Sequence, residues 1–374
     1  MRLRKKQKKF IEDAGKGSAT FGQLFWRRFR RNRLSVASVV VIALFALVAV
    51  LGYLITPDHT PHCNQQYLEL TSLRPMSKAT FIYIKNDTPP QHKGLLHKML
   101  YGQPLDCTAM PVYACTTTGD SIRYETYTGS KPNNGDIHTI AKTEVKDVKT
   151  RTFVFGTDSY GRDVLSQVMI GCRISLSVGL IAVAIALIVG IFLGATAAYY
   201  GGWVDNVIMW IINVVWSIPT VLLVIAITFA LGRGFWQVFV AVGLTMWVDV
   251  ARVVRGQVYS IKEKEYIEAA RAIGATTPRI IMRHILPNIA GPVTVITASN
   301  FATAILLEAG LSFLGIGVQP PMTSWGGMVK ENYGQILLDS AYQAFVPGVA
   351  IMIIVLAFML LGNGVRDALD VKQQ

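Results

Sequence analysis

The run Ser260-Ile-Lys-Glu-Lys-Glu-Tyr-Ile-Glu-Ala-Ala-Arg-Ala-Ile-Gly-Ala-Thr-Thr-Pro-Arg-Ile-Ile-Met-Arg-His-Ile-Leu-Pro287 spells two short helices joined at Gly274. Ser260 followed by Glu263 has the spacing of a capping box, in which a hydroxyl and a carboxylate satisfy backbone donors at a helix start. Acids crowd the first turns, where the helix dipole favours them. Gly274 stands where a helix stop needs a left-handed residue. Thr277 and Pro278 then read as an N-cap and a first-turn proline opening the second helix. Ile267, Ala270, Arg271 and Gly274 follow helical spacing, and Ala269, Ala270, Ala272 and Gly274 leave one surface slim. Two readings fit a slim, mildly apolar helix flanked by charge. It inserts into a groove on another protein, or it is an amphipathic linker lying on a bilayer.

The sequence on either side of this run is apolar. The 374 residues are 52% apolar and 16% charged, with a mean hydropathy of +0.40, against about 25% charge in soluble domains. A bilayer core of about 30 Å needs about 20 apolar residues of helix. Uncharged windows of that kind cover residues 34–55, 174–200, 206–232, 285–307 and 340–365, and a weaker one, 234–248, precedes Asp249 and Arg252. Six spans are expected. The first window has a basic leader like a secretory signal, but its apolar run is 22 residues with no small-x-small cleavage site, so it reads as a retained anchor.

The formal charge of +13 would in a soluble chain suggest nucleic acid, yet 12 of the 36 Lys and Arg lie in the first 33 residues. Such a cluster marks the cytoplasmic side of a membrane. An even number of spans places both termini and the loop 253–284, with six basic residues, on that side, while the short outer loops hold Arg233 alone and Lys330 alone. The excess charge therefore signals topology, and no nucleic-acid partner is expected. Pro219 should kink the third span, either for packing or as part of a gate. Gly190 and Gly194 allow another helix to approach closely. No span carries several ionisable residues, which disfavours a proton relay. Asp249 and Glu308 are expected near span ends, within reach of water.

Glu268-Ala269-Ala270, then Gly274, then Leu286-Pro287 resemble the EAA loop of the membrane subunits of bacterial ATP-binding-cassette importers. The run Arg283-His284-Ile285-Leu286-Pro287-Asn288, with His284 where the general loop has an apolar residue, resembles the dipeptide, oligopeptide and nickel branch. Residues 25–34 (FWRRFRRNRL), 156–165 (GTDSYGRDVL), 307–325 (LEAGLSFLGIGVQPPMTSW) and 355–369 (VLAFMLLGNGVRDAL) resemble landmarks of that branch's second permease subunit. Together they cover 21–55 and 153–370.

The resemblance implies an all-α polytopic protein of the bacterial inner membrane, with the six transmembrane helices of the type I importer permease fold. It divides into a cytoplasmic basic segment 1–33, a first span 34–55, an outer insertion 56–152 and a permease core 153–370 that contains the coupling loop 253–286. A second permease subunit, two cytoplasmic ATPase subunits that bind ATP and Mg, and an extracytoplasmic solute-binding protein are the implied partners, together with membrane lipid. Glu268, Ala269, Ala270 and Gly274 would dock the ATPase, with Arg271 and Arg279 at the rim and Pro287 closing the motif. The implied cargo is a di- or oligopeptide, with nickel or another small solute as the alternative. Asn213, Ser217, Thr245, Thr297, Ser299 and Asn300, in the third to fifth spans, are candidates for the translocation path, although such residues more often make helix–helix hydrogen bonds than substrate contacts.

No GxxxxGK[ST] loop is present, and Gly15-Lys16-Gly17-Ser18 has the wrong order to cradle phosphate. GxSxG and HExxH are also missing, so no catalytic residue and no cofactor are assigned. Residues 56–152 are polar and interrupted by proline. Within them 80–85 and 121–127 read as strands of a small extracytoplasmic β-rich subdomain, either a contact for the binding protein or a passive lid. Cys107 and Cys115 are the first candidates for a disulfide on spacing, with Cys63 and Cys172 as further thiols. His59-x-x-His62-Cys63 has the outline of a metal clamp but reads better as a polar loop, and no metal is assigned. A secondary ion-coupled carrier would need intramembrane acids. A membrane sensor would use 56–150 to bind ligand and signal through the loop.

Overall fold

The computed structural model describes residues 21–86, 94–129, 132–232 and 234–369. The basic residues 1–20, including Gly15 to Ser18, and Arg233 lie outside them. Helix α1 (Phe21–Arg31) meets α2 (Arg33–Leu51) at Asn32, whose side chain accepts from Leu34 N at 3.1 Å and Ser35 N at 3.4 Å. Phe29 pins α1 against Val365 and Ala368, at the far end of the chain.

Beyond an inserted sheet the core is helical: α4 (Val164–Tyr200), α5 (Gly202–Trp216), α6 (Thr220–Leu231), α7 (Phe235–Lys262), α8 (Glu265–Ala272), α9 (Thr277–Ile280), α10 (Leu286–Phe313), α11 (Trp325–Asn332) and α12 (Tyr342–Leu369). Among the described residues five helices are long and apolar enough to span a bilayer, and the pair α5 and α6, bent by 94°, makes a sixth if counted as one span. The expected kink at Pro219 is thus a sharp break over Ser217, Ile218 and Pro219. Proline removes a donor and clashes with the preceding turn, and at 15 and 12 residues neither half crosses about 30 Å alone.

The weakest window becomes the most enclosed span. Helix α7 runs 28 residues, past Asp249, Arg252 and Arg255, and 67% of its apolar window is buried. The loop expected from 253 therefore begins only after Lys262, and Asp249 sits midway along the helix with its side chain exposed rather than at a span end. Small residues make the packing close. A Cβ added at Gly190 would lie 2.5 Å from Val250 Cβ, and one at Gly194 would lie 2.5 Å from the Ala251 carbonyl. Gly243 meets Ile185 and Ala182 in the same seam, so α4 and α7 pack backbone against backbone.

Glu308 also departs from expectation, being fully buried instead of water-exposed. Ser312 Oγ donates to it at 2.7 Å and Ser175 Oγ at 3.3 Å, and Ser324 Oγ donates to Ser312 Oγ at 3.3 Å. One carboxyl group thereby ties α4, α10 and the cap of α11.

Between α2 and α4 lies an antiparallel sheet of order β4-β3-β2-β1-β5, from β1 (Ser77–Lys85), β2 (Cys107–Thr118), β3 (Ser121–Thr126), β4 (Ile137–Ala141) and β5 (Val145–Phe153), with a short helix α3 (Leu95–Tyr101) between β1 and β2. Both strands expected from the sequence are present, Phe81 pairing with Pro111 and Tyr124 with His138. Alternation buries Phe81, Tyr83, Cys107 and Ala109 on one face and Ile82, Val112, Ile122 and Tyr124 on the other.

The proposed disulfide is corrected by this geometry. Cys107 and Cys115 stand eight residues apart on one strand, roughly 27 Å at strand rise, far beyond disulfide reach. All four cysteines are free. The Cys63 thiol donates to the Asp58 carbonyl at 3.1 Å, and no cluster of three or more metal-ligating side chains occurs among the described residues.

Candidate coupling site and cavity

Helix α8 is held by its inner face. Ile267 and Ala270, one turn apart, are buried in the core that contains Val258, Ile261, Ile280, Ile285 and Ile289. Glu268, Ala269, Arg271, Ala272 and Gly274 face outward. Of the residues assigned to docking, Ala270 therefore anchors the helix and Ala269 faces outward, forming the slim outer surface with Ala272. Sequence reasoning missed Ile273, at the C-cap of α8, and Met282, in the turn that precedes α10, which are 86% and 68% exposed. Two large apolar side chains left outside a packed core were the available signal.

The stop at Gly274 is a Schellman turn. Gly274 has φ +83, its N–H donates to Arg271 O at 2.9 Å, and Ala275 N–H donates to Ala270 O at 3.0 Å. Nothing lies within 4 Å of a Cβ added there, so glycine is required by backbone conformation and not by space. The starts differ from expectation. Ser260 lies inside the last turn of α7, which leaves Lys264 at the cap of α8, and Thr276 rather than Thr277 caps α9. Long apolar contacts carry α7 past the capping-box pattern, because Val258 and Ile261 are in the core.

The second helix enters the membrane without a break. Helix α9, a π turn at Ile281–Ile285 and α10 form one rod of 37 residues. Pro287 is the second residue of α10. Its missing N–H leaves a carbonyl of the preceding turn without a partner, and the wider π turn absorbs that defect. Asn288 Nδ2 also donates to His284 O at 2.6 Å.

The mounting on the other side is electrostatic. Lys262 Nζ donates to Ala198 O at 2.7 Å, and the Arg271 guanidinium lies 5.2 Å from the Tyr199 ring, so both grip the end of α4. Arg255 bonds Asp205 in a two-pronged pair, with both distances 2.6 Å. Arg252 donates to Asn213 Oδ1 at 3.1 Å and lies 3.7 Å from the Trp216 ring centroid. These contacts fix α5 to α7, the helix that leads into α8. Asp205 and Arg255 were not singled out from the sequence, and Arg252 was noted only as a charge after the weak window, although arginines at 252 and 255 share one helix face. Arg279 is exposed.

The path candidates separate. Ser217, Thr245 and Thr297 donate to carbonyls of their own helices, at Val214, Val242 and Val293. Asn213 is taken by Arg252, and Asn300 is buried with its amide nitrogen unpaired. Ser299 is the one of the six that lines the open cavity of about 780 Å³, where Gln257 of α7 and Asn363 and Arg366 of α12 supply the other polar groups.

At the opposite end of α4, residues 156–165 form a lock. Asp158 is 1% exposed and accepts from Tyr160 N, Arg162 N, Arg162 Nε and Gln167 Nε2 at 2.6–2.9 Å. Arg162 also reaches Glu331 of α11 at 2.6 Å and Asn64 at 3.1 Å. Asp163 caps α4, accepting from Ser166 N at 3.0 Å and from the Ser166 hydroxyl, while burial pushes its carboxyl above the usual range. Thr157, Tyr342 and Gln343 hold the turn at Leu70 to Leu73.

Residues 176–373 match the family described as binding-protein-dependent transport system inner membrane component. Residues 20–75 match the N-terminal transmembrane domain of oligopeptide transport permease C. Residues 76–175 lie between the two matched segments, and 58–73 pack on the lock at 156–166. The chain is 42% identical over 220 residues to the dipeptide transport system permease protein of Alkalihalophilus pseudofirmus, covering 59% of this chain and 72% of that protein. It is 42% identical over 217 residues to the glutathione transport system permease protein of Pectobacterium atrosepticum, with coverages of 58% and 72%. It is 38% identical over 218 residues to the oligopeptide transport system permease protein of Bacillus subtilis, with coverages of 58% and 71%. Among solved structures, an inward-facing methionine ABC transporter is 20% identical, with coverages of 52% and 93% and a TM-score of 0.43.

Proposed function

The chain belongs to the family of binding-protein-dependent transport system inner membrane components, and from that premise we propose that its outward α8 surface receives the push of a cytoplasmic ATPase during peptide import. The protein is a multi-pass transport subunit and not an enzyme. The relatives' names cover dipeptide, oligopeptide and glutathione transport, so a peptide is the cargo. A homologous second permease would complete the path, two ATPase subunits would bind ATP and Mg, and a binding protein would deliver peptide from outside. We place the chain in the bacterial inner membrane with both termini inside and the sheet of 77–153 outside, on the side away from the basic loop.

One observation carries the mechanical reading. The exposed α8 surface is mounted on a buried face and clamped at both ends to helices that cross the membrane, so force on Ala269 and Ala272 reaches α4, α7 and α10 without passing through a flexible loop. Closure of two ATPases would move the coupling helix as a lever. Helix α7 would carry that motion to α5 through Arg252 and Arg255, and so to the break at Pro219. The 780 Å³ cavity opens among α7, α10 and α12, the helices that such a lever displaces.

The test is reconstitution of the complex in proteoliposomes with its binding protein and a labelled dipeptide. ATP-dependent uptake that vanishes when this chain is omitted is expected. Uptake of nickel or another solute with no uptake of any peptide would overturn the cargo assignment. Maleimide labelling of Thr117→Cys from the outside of intact cells checks the sheet's side.

A further inference from the structure

Helix α3, Leu95–Tyr101, has no buried residue. Leu95, Leu96, Leu100 and Tyr101 are 74%, 68%, 46% and 64% exposed. At the helical angle per residue, Leu95, Leu96, Met99 and Leu100 share one arc, and His97, Lys98 and Tyr101 occupy the other. A small sheet has no reason to hold three leucines toward water. Residues 76–152 also lie outside both family matches, so this helix belongs to the part of the chain that the relatives do not explain.

Its position is fixed by one guanidinium. Arg173, near the outer end of α4, donates to Leu100 O at 2.7 Å and Met99 O at 2.9 Å, and also to Ala49 O at 2.8 Å and Val50 O at 3.3 Å in the last turn of α2. The first span ends at Leu54. The last turn of α3 is therefore level with the end of a membrane-crossing helix, and Gly102, with φ +74, turns the chain away beneath His59 to Pro61. The first span and the residue after it present Leu47, Val50 and Ile55 at 53%, 58% and 44% exposure. The leucine arc of α3 continues this lipid-facing surface around the corner of the span.

We propose that α3 lies flat in the lipid headgroup region at the Ile55 end of the first span, its leucines in the outer part of the hydrocarbon and His97 and Lys98 among the headgroups. Three observations choose lipid over a protein partner: continuity with the lipid-facing side of α2, placement at a span end, and basic side chains on the arc opposite the leucines, suited to anionic headgroups. The helix then acts as a surface anchor that sets the height and tilt of the inserted sheet. The inference needs only that the first span crosses the bilayer, and holds whichever side the sheet occupies.

Spin labels in the full chain, assembled in nanodiscs of phosphatidylethanolamine and phosphatidylglycerol, test it. Leu96→Cys and His97→Cys are labelled in a Cys115→Ser background, with Leu44→Cys as the mid-span reference and Thr117→Cys as the aqueous one. Relaxation by oxygen against a water-soluble nickel chelate reads depth. An oxygen-to-nickel ratio at Leu96 several-fold above Thr117, approaching Leu44, with a lower ratio at His97, is expected. A ratio at Leu96 equal to that at Thr117 would overturn the anchor. Poor access of both agents to Leu96 would do the same, since it would place protein over the leucines, and so would equal ratios at Leu96 and His97.

Discussion

Arg255 and Asp205 meet through two hydrogen bonds of 2.6 Å each, Nε to Oδ1 and Nη2 to Oδ2. The pair joins the first half of the broken span to α7, the helix that leads into the proposed coupling helix α8. A planar fork matches a carboxylate at two points, which a lysine ammonium cannot do. Arg255→Lys should therefore keep the charge and lose much of the coupling, lowering peptide-stimulated ATP hydrolysis more than basal hydrolysis. The pair is partly exposed, so its loss should cost stability only about 1 kcal/mol. Equal peptide stimulation in wild type and Arg255→Lys proteoliposomes would remove the pair from the transmission path.

Gly274 separates a conformational requirement from a spatial one. A side chain there meets nothing within 4 Å, yet φ is +83. Gly274→Asn should be tolerated, because Asn visits the left-handed region, while Gly274→Val should cost about 1–2 kcal/mol and unseat the Schellman turn. Uptake per ATP hydrolysed should fall for valine and be nearly unchanged for asparagine. A valine variant with normal uptake per ATP would show that the turn does not transmit.

The α4 and α7 seam makes a stability prediction. Gly194→Leu drives a side chain into the Ala251 backbone, which cannot yield as a flexible side chain would. The loss should reach about 3 kcal/mol or more, and Gly256→Leu, where nothing lies within 4 Å, is the control. Thermal unfolding in detergent should show a large drop for the first and little for the second.

Thiol chemistry follows from burial. Burial pushes the Cys63 thiol far above its ordinary range, and Cys115, half-buried, is raised for the same reason. Maleimide at neutral pH should label Cys115 faster than Cys63, and alkylation after denaturation without reductant should modify all four cysteines. Protection of Cys107 and Cys115 until reductant is added would restore the disulfide that the strand geometry excludes.

Much of this architecture is legible in the residues. Gly274 announces its stop because left-handed backbone favours one residue type, and Gly190 with Gly194 announces a close seam because only missing side chains permit one. The capping box at Ser260 misleads for the converse reason. Local hydrogen-bonding chemistry is outweighed by Val258 and Ile261, which bury more by continuing α7 than a cap would return. Glu308 could not be placed from sequence, since its burial depends on Ser175, 133 positions away. The disulfide failed because spacing along a chain says nothing of whether the segment is a turn or a strand. Asp205 and Arg255, 50 positions apart, become partners only once the third span breaks and folds back beside α7.

The inward and outward alanines of α8 offer the most direct test of the coupling account. Cysteine substitutions at Ala269 and Ala270 in the assembled complex are treated with a short bifunctional cross-linker, and capture of the ATPase subunit is measured on gels. Ala269→Cys should capture it several-fold better than Ala270→Cys, because Ala269 faces outward and Ala270 is 6% exposed against the membrane core. Equal capture at the two positions, or capture only at Ala270, would contradict the assignment of the α8 surface as the receiver of ATPase motion.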